Sequence, residues 1–281
     1  MAYEQIRYET DGPIATLTLA RPEKLNAYTA RMGAEITDAL RRSDEDHAIR
    51  ATIITGEGRG FCAGADISGG ADSFGASGPN FGTGGQPREG SGFVDALFNA
   101  TKPTIAAING PAVGVGVTLT LPCDIRIAAR AARFGFVFAR RGLVPEAGSA
   151  WFLPKIVGLP QALRWCLSGN LFDAEEARAG GLVSEVVDGE ALLDRARAIA
   201  REIAGQTAPV SVALTRQMLW RFSGDPLPDG ALSVDGAFAM ALGAGPDVRE
   251  GVAAFLEKRA PAFPGQVPED MPSGYPWWRA G

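Results

Sequence analysis

Hydrophobic side chains alternate between strand-like and helix-like spacing over the first two thirds of the chain. In residues 14–19 apolar residues occur at every second position and share one face, as in a half-buried strand. Residues 26–42 repeat apolar residues three and four positions apart, as an amphipathic helix does. The isoleucine-containing runs 52–55, 104–108 and 124–128 are typical of buried strands. Strands that alternate with helices predict an α/β core with largely parallel strands.

The last third of the chain carries helical patterns instead. Residues 173–176 have the spacing of a capping box, which marks a helix start. The long apolar stripe after them stops at Gly205, a residue type that is common at helix C-termini. Residues 246–250 repeat the capping-box spacing. We therefore predict an α/β core over residues 1–205 and a C-terminal helical region over residues 206–281.

A glycine-rich segment, residues 68–92, interrupts the α/β pattern. It contains nine glycines and few apolar residues, which predicts a flexible loop rather than a helix or strand. Long loops in compact domains often carry function, so this segment is either a disordered insertion or a lid beside a site. The pattern leaves both interpretations open.

Composition narrows the class of protein. The chain has 281 residues, 46% of them hydrophobic and 21% charged, and a net charge of −5 spread along its length. This is typical of a globular protein and does not indicate a nucleic-acid partner. No apolar run approaches the roughly 20 residues of a membrane span, and the N-terminus lacks a signal-peptide core, so we expect a cytoplasmic protein. Cys62, Cys123 and Cys166 lie singly, as free thiols do in a reducing compartment.

The single histidine limits the chemistry. His47 lies in a charged stretch, where we expect a solvated surface side chain. Without a catalytic histidine the chain has no Ser-His-Asp triad, Cys-His pair or histidine-bound zinc. Acid–base chemistry then falls to carboxylates, lysines or tyrosines.

Two glycine-rich turns follow predicted strands, at residues 56–66 and 109–117. Small residues let a ligand approach the backbone, and two such turns side by side can direct two amides at one oxygen, as in an oxyanion hole. Residues 58–63 also fit the G-x-G-x-x-A pattern of dinucleotide binding. The glycine-rich segment that follows does not suit that fold, which disfavours a dehydrogenase. Ordinary tight turns remain the alternative.

Several short motifs occur in a characteristic order along almost the whole chain. They are residues 21–27, 61–66, 109–116, 123–124, 134–135, 153–158 and 250–259. In this order the chain resembles the crotonase family, also called the enoyl-CoA hydratase/isomerase superfamily. The resemblance implies a spiral of ββα units with a C-terminal helical trimerisation region, assembled as a homotrimer or as a hexamer built from two trimers. It also implies an acyl-CoA or enoyl-CoA substrate, a place in fatty acid metabolism, and no metal or cofactor besides the coenzyme A of the substrate.

The resemblance further implies which residues bind the substrate. The thioester oxygen is expected between the backbone amides of Ala63 and Val115, and Lys258 and Phe263 match positions at which family C-termini reach coenzyme A. Residues matching the family's channel for coenzyme A and the acyl group are Leu25, Ala27, Ala63, Gly64, Ala65, Asp66, Ile67, Gly114 and Phe138.

The side chains at the family's catalytic positions differ from those of its hydratases. Hydratases use two glutamates, whose positions match Thr118 and Phe138 here, and neither residue transfers protons at neutral pH. Glu146 matches the position of the acidic residue in members that shift a double bond. The side chains flanking it that are expected to form an apolar pocket are Phe134, Phe136, Phe138, Trp151 and Phe152.

The resemblance therefore favours a delta-3 to delta-2 enoyl-CoA isomerase in which Glu146 is both acid and base. A hydratase-like lyase, a CoA-thioester hydrolase and a non-catalytic acyl-CoA-binding paralogue remain alternatives. The structural alternative for Glu146 is that it caps a helix beginning near Ala147.

Overall fold

The computed structural model describes residues 3–74 and 92–279. The predicted flexible loop, residues 68–92, falls largely on 75–91, outside the described residues. Its described beginning contains a short 3₁₀ helix, Gly70–Phe74.

The described residues form nine strands and ten α-helices. The strands are β1 Ile6–Asp11, β2 Ile14–Leu19, β3 Ala51–Gly56, β4 Thr104–Ile108, β5 Ala112–Val113, β6 Ile125–Ala129, β7 Arg133–Gly135, β8 Leu171–Asp173 and β9 Glu185–Val187. The helices are α1 Ala30–Glu45, α2 Phe93–Asn99, α3 Val115–Thr118, α4 Ser149–Val157, α5 Leu159–Ser168, α6 Ala174–Ala179, α7 Leu192–Gln206, α8 Pro209–Phe222, α9 Asp229–Gly243 and α10 Pro246–Glu257. Further 3₁₀ helices are Pro22–Lys24, Val137–Arg141, Gly189–Ala191 and Trp277–Arg279.

The strands form a large sheet and a small one. The six-stranded sheet has the order β1-β2-β3-β4-β6-β9, and every pair except β1 with β2 is parallel. The small sheet has the order β5-β7-β8. The prediction of an α/β core with largely parallel strands is therefore confirmed.

The large sheet is covered on both faces, which explains its continuous apolar runs. Ile53, Ile105 and Ile127 pack against α7. The opposite face, which includes Ile54, packs into the main core together with Met32 of α1. β2, which the sequence predicts to be half-buried, is also parallel to β3 and is buried on both faces at all positions except Thr16.

Helix α1 begins at Ala30, four residues later than the hydrophobic pattern suggests. Leu25 and Asn26 have φ angles of 50° and 55°, which a right-handed helix does not permit. Thr29 is the N-cap, and its hydroxyl accepts a hydrogen bond from the amide of Met32 at 3.1 Å. The preceding residues instead approach the first glycine-rich turn.

The two predicted capping boxes have different outcomes. Asp173 caps α6, since its carboxylate accepts the amide of Glu176 at 2.8 Å. At residues 246–250 the predicted helix start is confirmed, since α10 begins at Pro246, but the capping box is wrong, because Gly245 is the N-cap without a side-chain cap. The Asp247 carboxylate accepts the amide of Gly265 at 2.9 Å instead, which ties the C-terminal segment to this helix. Among the described residues no helix is both long and apolar enough to cross a membrane.

Candidate active site

The side chain of Asn26 joins the segment before α1 to the first glycine-rich turn. It is fully buried, accepts the amide of Arg21 at 2.8 Å and donates to the carbonyl of Gly60 at 2.8 Å. Arg21 in turn forms an ion pair with Asp66 at 2.8 Å. The early motif at residues 21–27 therefore holds the first turn in place from both ends.

The second glycine-rich turn lies directly beside the first. Ala112 forms a β-bridge with Cys62, and the amide of Val113 donates to the carbonyl of Cys62 at 3.0 Å. A Cβ atom on Gly116 would lie 2.0 Å from the Cys62 carbonyl oxygen, so glycine is required there. This close packing brings the amides of both turns to one surface.

The structure corrects the predicted pair of oxyanion donors. The amide of Ala63 donates to the carbonyl of Leu25 at 3.0 Å and is therefore occupied. Gly64 follows with a φ angle of 117°, which reorients the chain before Ala65. The amides of Ala65 and Val115 have no hydrogen-bond partner among the described residues, and both residues line the same cavity. The free pair is thus Ala65 and Val115, and the prediction for Ala63 is wrong.

The cavity has a volume of about 850 Å³, which suits a small-molecule substrate. Of the residues predicted to contact substrate, those that line it are Ala63, Gly64, Ala65, Ile67, Gly114, Val115, Phe138 and Glu146. Leu25, Ala27 and Asp66 do not line it, since they build the turn behind it. Their contact with coenzyme A stays a prediction, as does that of Lys258 and Phe263.

Glu146 faces the cavity because of the turn that follows it. Ala147 and Gly148 have φ angles of 54° and 69°, and α4 starts only at Ser149 with Gly148 as its N-cap. The Glu146 carboxylate instead accepts the hydroxyl of Thr118, with 2.6 Å between Oγ1 and Oε1. The alternative that Glu146 caps a helix is therefore wrong.

The environment of Glu146 raises the pKa of its carboxyl group. Burial among protein atoms is the cause, and the hydrogen bond from Thr118 opposes it. Glu146 as a whole is nonetheless exposed, and it lines the open cavity.

The aromatic residues around Glu146 in sequence are mostly not around it in space. Among the described residues, Phe138 alone of the five lines the cavity. The others pack in separate aromatic clusters: Phe134 and Phe136 near Phe172, and Trp151 and Phe152 near Phe98.

Three polar side chains of the cavity wall, Tyr28, Arg140 and Arg141, are not among the residues predicted to contact substrate. The two arginines belong to a basic tract that the sequence more strongly indicated to be a solvated face or a subunit contact than a site for coenzyme A phosphates. Burial and the nearby charge of Glu146 raise the pKa of Tyr28, so it stays a neutral phenol. Tyr28 belongs to no motif. Its β-bridge with Ala65, 37 positions away, is what brings it to the cavity. The exposed His47 lies 3.9 Å from Glu269 and does not line the cavity.

Comparisons with known proteins identify the family. The sequence profile of the enoyl-CoA hydratase/isomerase family matches residues 9–266. A 1,2-epoxyphenylacetyl-CoA isomerase of Escherichia coli is 38% identical, covering 94% of this chain and 99% of that protein. An enoyl-CoA hydratase of Alternaria alternata is 39% identical, covering 94% of this chain and 88% of that protein. The solved structure of an enoyl-CoA hydratase from Mycobacterium tuberculosis matches with a TM-score of 0.82 and 32% identity, over 92% of this chain and 98% of that one.

The chain therefore belongs to the enoyl-CoA hydratase/isomerase family, the crotonase superfamily, and has its fold. It is an enzyme of that family. Its relatives carry the names of both hydratases and isomerases, so the choice of reaction depends on the side chains at the site.

Proposed function

We propose that the protein isomerises enoyl-CoA thioesters by moving a double bond from the delta-3 to the delta-2 position. The observation that carries the proposal is that Glu146 is the only carboxylate lining the described cavity, which it shares with the free amides of Ala65 and Val115. One base and two amide donors are the groups that this reaction needs.

The reaction is a proton transfer within the substrate. The thioester oxygen accepts hydrogen bonds from Ala65 and Val115, which makes the protons on carbon 2 more acidic. Glu146 removes one of these protons, and the electron pair spreads over the thioester oxygen and carbon 4 as a dienolate. The same carboxyl group returns the proton to carbon 4, so no atom is gained or lost. The step uses no metal or redox cofactor.

Hydration requires a second proton-transfer group, and this argues against it. Thr118 and Phe138 stand at the positions of the two hydratase glutamates. Thr118 is fully buried and its hydroxyl donates a hydrogen bond to Glu146. Phe138 presents only an apolar ring to the cavity. Neither side chain holds a water and then protonates the neighbouring carbon. A single carboxylate suits a proton shuttle better than the addition of water.

Incubation with 3-enoyl-CoA and 2-enoyl-CoA thioesters, followed by mass analysis, tests this proposal. We expect conversion of the 3-enoyl form to a product of unchanged mass that shows the absorbance of a conjugated thioester. Glu146→Gln should lose this conversion by at least about 10²-fold while still binding acyl-CoA. Glu190→Gln changes an exposed glutamate outside the cavity and should leave the rate unchanged. A product heavier by one water, or full activity in Glu146→Gln, would refute the isomerase assignment.

A second candidate is the isomerisation of an epoxide on a CoA thioester. It is favoured by the 38% identity to the E. coli relative, whose name states that reaction class. It too conserves every atom, and it would use the same two amides and Glu146. Including an aryl epoxide thioester in the substrate panel distinguishes the candidates by which substrate is consumed faster.

The exposed apolar surface of the C-terminal helices supports self-assembly. Met240 of α9 is 83% exposed, and Phe255 and Leu256 of α10 are 82% and 73% exposed. Surfaces of this kind usually meet another protein surface. We infer a homotrimer or hexamer, to be checked by light scattering with Phe255→Glu as the disrupting variant.

A further inference from the structure

Two arginines interrupt the otherwise mostly apolar wall of the cavity. Arg140 and Arg141 end the 3₁₀ helix Val137–Arg141, and both are exposed and line the cavity. Phe138 of the same 3₁₀ helix also lines it. The pair therefore places two positive charges in the wall of the cavity.

The guanidinium group of Arg140 is held in place by uncharged acceptors. Its Nε donates to the carbonyl of Ser168 at 3.0 Å, and a terminal nitrogen donates to the side-chain oxygen of Asn170. Its aliphatic part crosses Gly169, where a Cβ atom would lie 3.0 Å from Arg140 Cγ. Arg140 is therefore positioned, but its charge is not neutralised by these partners.

Arg141 is held less firmly. Its hydrogen bond to the carbonyl of Arg140 is 3.5 Å long. Within residues 3–74 and 92–279, no carboxylate lies within 4.0 Å of either arginine's charged group. A guanidinium without a carboxylate, beside a cavity of this size, is suited to pairing with a carboxylate of a ligand.

Neither arginine is paired with the catalytic base. Among the described residues the Glu146 carboxylate accepts the hydroxyl of Thr118 and forms no ion pair with an arginine, while Arg140 and Arg141 donate to other acceptors. The base therefore does not neutralise the arginines, which remain available to an anionic group of a ligand.

We propose that Arg140 and Arg141 select acyl-CoA substrates whose acyl chain ends in a carboxylate. This names the substrate class of the site and rests on the proposed function for the reaction itself. The carboxylate would accept hydrogen bonds from Arg141 and from the terminal nitrogen of Arg140 that donates to neither Ser168 nor Asn170. The chain between carboxylate and thioester would lie against the apolar part of the wall.

The phosphates of coenzyme A are the other anions that such a pair could bind. The arginine wall comes from residues 137–141 and 169–171. The apolar side chains of Phe138 and Leu171 in this wall suit an acyl chain better than a phosphate group. This favours the acyl end, and the experiment below includes an arm for the phosphates.

Binding of unreactive ligands tests the proposal without any turnover. Hexanoyl-CoA and adipyl-CoA have the same chain length and differ at the end of the chain, and calorimetry gives their dissociation constants. We expect the wild type to bind adipyl-CoA about tenfold more tightly than hexanoyl-CoA, the discrimination expected of a partly exposed charged hydrogen bond. The double variant Arg140→Gln/Arg141→Gln should lose this preference. Arg164→Gln removes the same charge from an exposed arginine outside the cavity and should keep it.

The outcomes separate this proposal from the isomerase assignment. Equal affinity of the wild type for the two ligands overturns it. A second result also overturns it. If the double variant binds both CoA ligands more weakly by the same factor, and binds the corresponding pantetheine thioesters as tightly as the wild type does, the arginines bind the phosphates of coenzyme A. A kinetic experiment compares the turnover of 3-hexenoyl-CoA with that of its analogue whose acyl chain ends in a carboxylate. A preference for adipyl-CoA without turnover of either substrate supports the arginine proposal and refutes the isomerase assignment.

Discussion

The hydroxyl of Thr118 donates to the carboxylate of Glu146 across 2.6 Å, joining residues 28 positions apart at the wall of the cavity. By the resemblance to the family, Thr118 matches the position of one hydratase glutamate, so in the proposed reaction the residue that replaces one acid–base group also orients the remaining one. The bond engages Oε1 and leaves Oε2 as the oxygen that can exchange a proton with the substrate. It also favours the charged form of Glu146, which is the form that acts as a base.

Thr118→Val should weaken catalysis through the ionisation of Glu146. Burial raises the pKa of Glu146 and the Thr118 hydroxyl lowers it, so removing the hydroxyl raises that pKa further. Because the base must be ionised, activity is lost as pH falls through its pKa, and the acid limb of the kcat/KM profile should move to higher pH. At neutral pH we expect about a tenfold loss, from the worth of a hydrogen bond to a charged group. Thr118→Ser keeps the hydroxyl and should retain the wild-type profile; an unmoved limb in Thr118→Val would contradict this role.

Val115→Pro removes a single amide hydrogen from the proposed oxyanion hole. Val115 is the first residue of α3, a position that tolerates proline, and Gly114 before it has no Cβ to meet the proline ring. Losing one such donor typically costs about 10²–10³-fold in kcat. Val115→Ala keeps the amide and should stay near wild-type activity. Circular dichroism checks that both variants fold, and a folded Val115→Pro with normal kcat would exclude this amide as a donor.

Gly116→Ala should damage both stability and activity, because its Cβ would lie 2.0 Å from the Cys62 carbonyl oxygen. Relieving that overlap has to move the two glycine-rich turns apart. We expect a loss of at least about 2 kcal/mol in the free energy of unfolding, measured in urea. Gly205→Ala is the matched control, since its added methyl group would have no atom within 4 Å apart from its chain neighbours and the backbone of its own helix. That control should be neutral or slightly stabilising, as alanine favours helices.

Asp66→Asn should lower stability at neutral pH but not at strongly acidic pH. Hydrogen bonds from Ser68 and Arg21 lower the pKa of Asp66 from 3.8 to about 2. A lowered pKa contributes stability that is fully present above the unfolded value and is lost as pH falls from about 4 to about 2. We expect about 1–2 kcal/mol at pH 7, from urea unfolding of wild type and variant. Asp194→Asn removes an 84% exposed carboxylate paired with Arg197 and should change little; a difference between wild type and Asp66→Asn that is as large at pH 2 as at pH 7 would contradict the linkage.

Local chemistry was readable from the order of the residues. Apolar runs predicted the parallel strands, because a strand buried on both faces has to be apolar throughout. The glycines at 64, 114 and 116 predicted two turns that approach closely, since other residue types are excluded from such geometry. The resemblance to the family, applied at positions 118, 138 and 146, predicted one acid–base group in place of two, because only Glu146 of these three side chains transfers a proton at neutral pH.

The direction of each amide and the partners of each side chain required the folded chain. Sequence reasoning assigned the free amide to Ala63, but long-range pairing with Leu25 and the φ angle of Gly64 move that role to Ala65. The hydrogen bond from Thr118 to Glu146 likewise joins segments that are distant in sequence. The same holds for the cavity wall, in which the arginines meet residues from other parts of the chain. Hydrogen-bond direction depends on backbone dihedrals and on which segments meet, and neither is a property of any short stretch of residues.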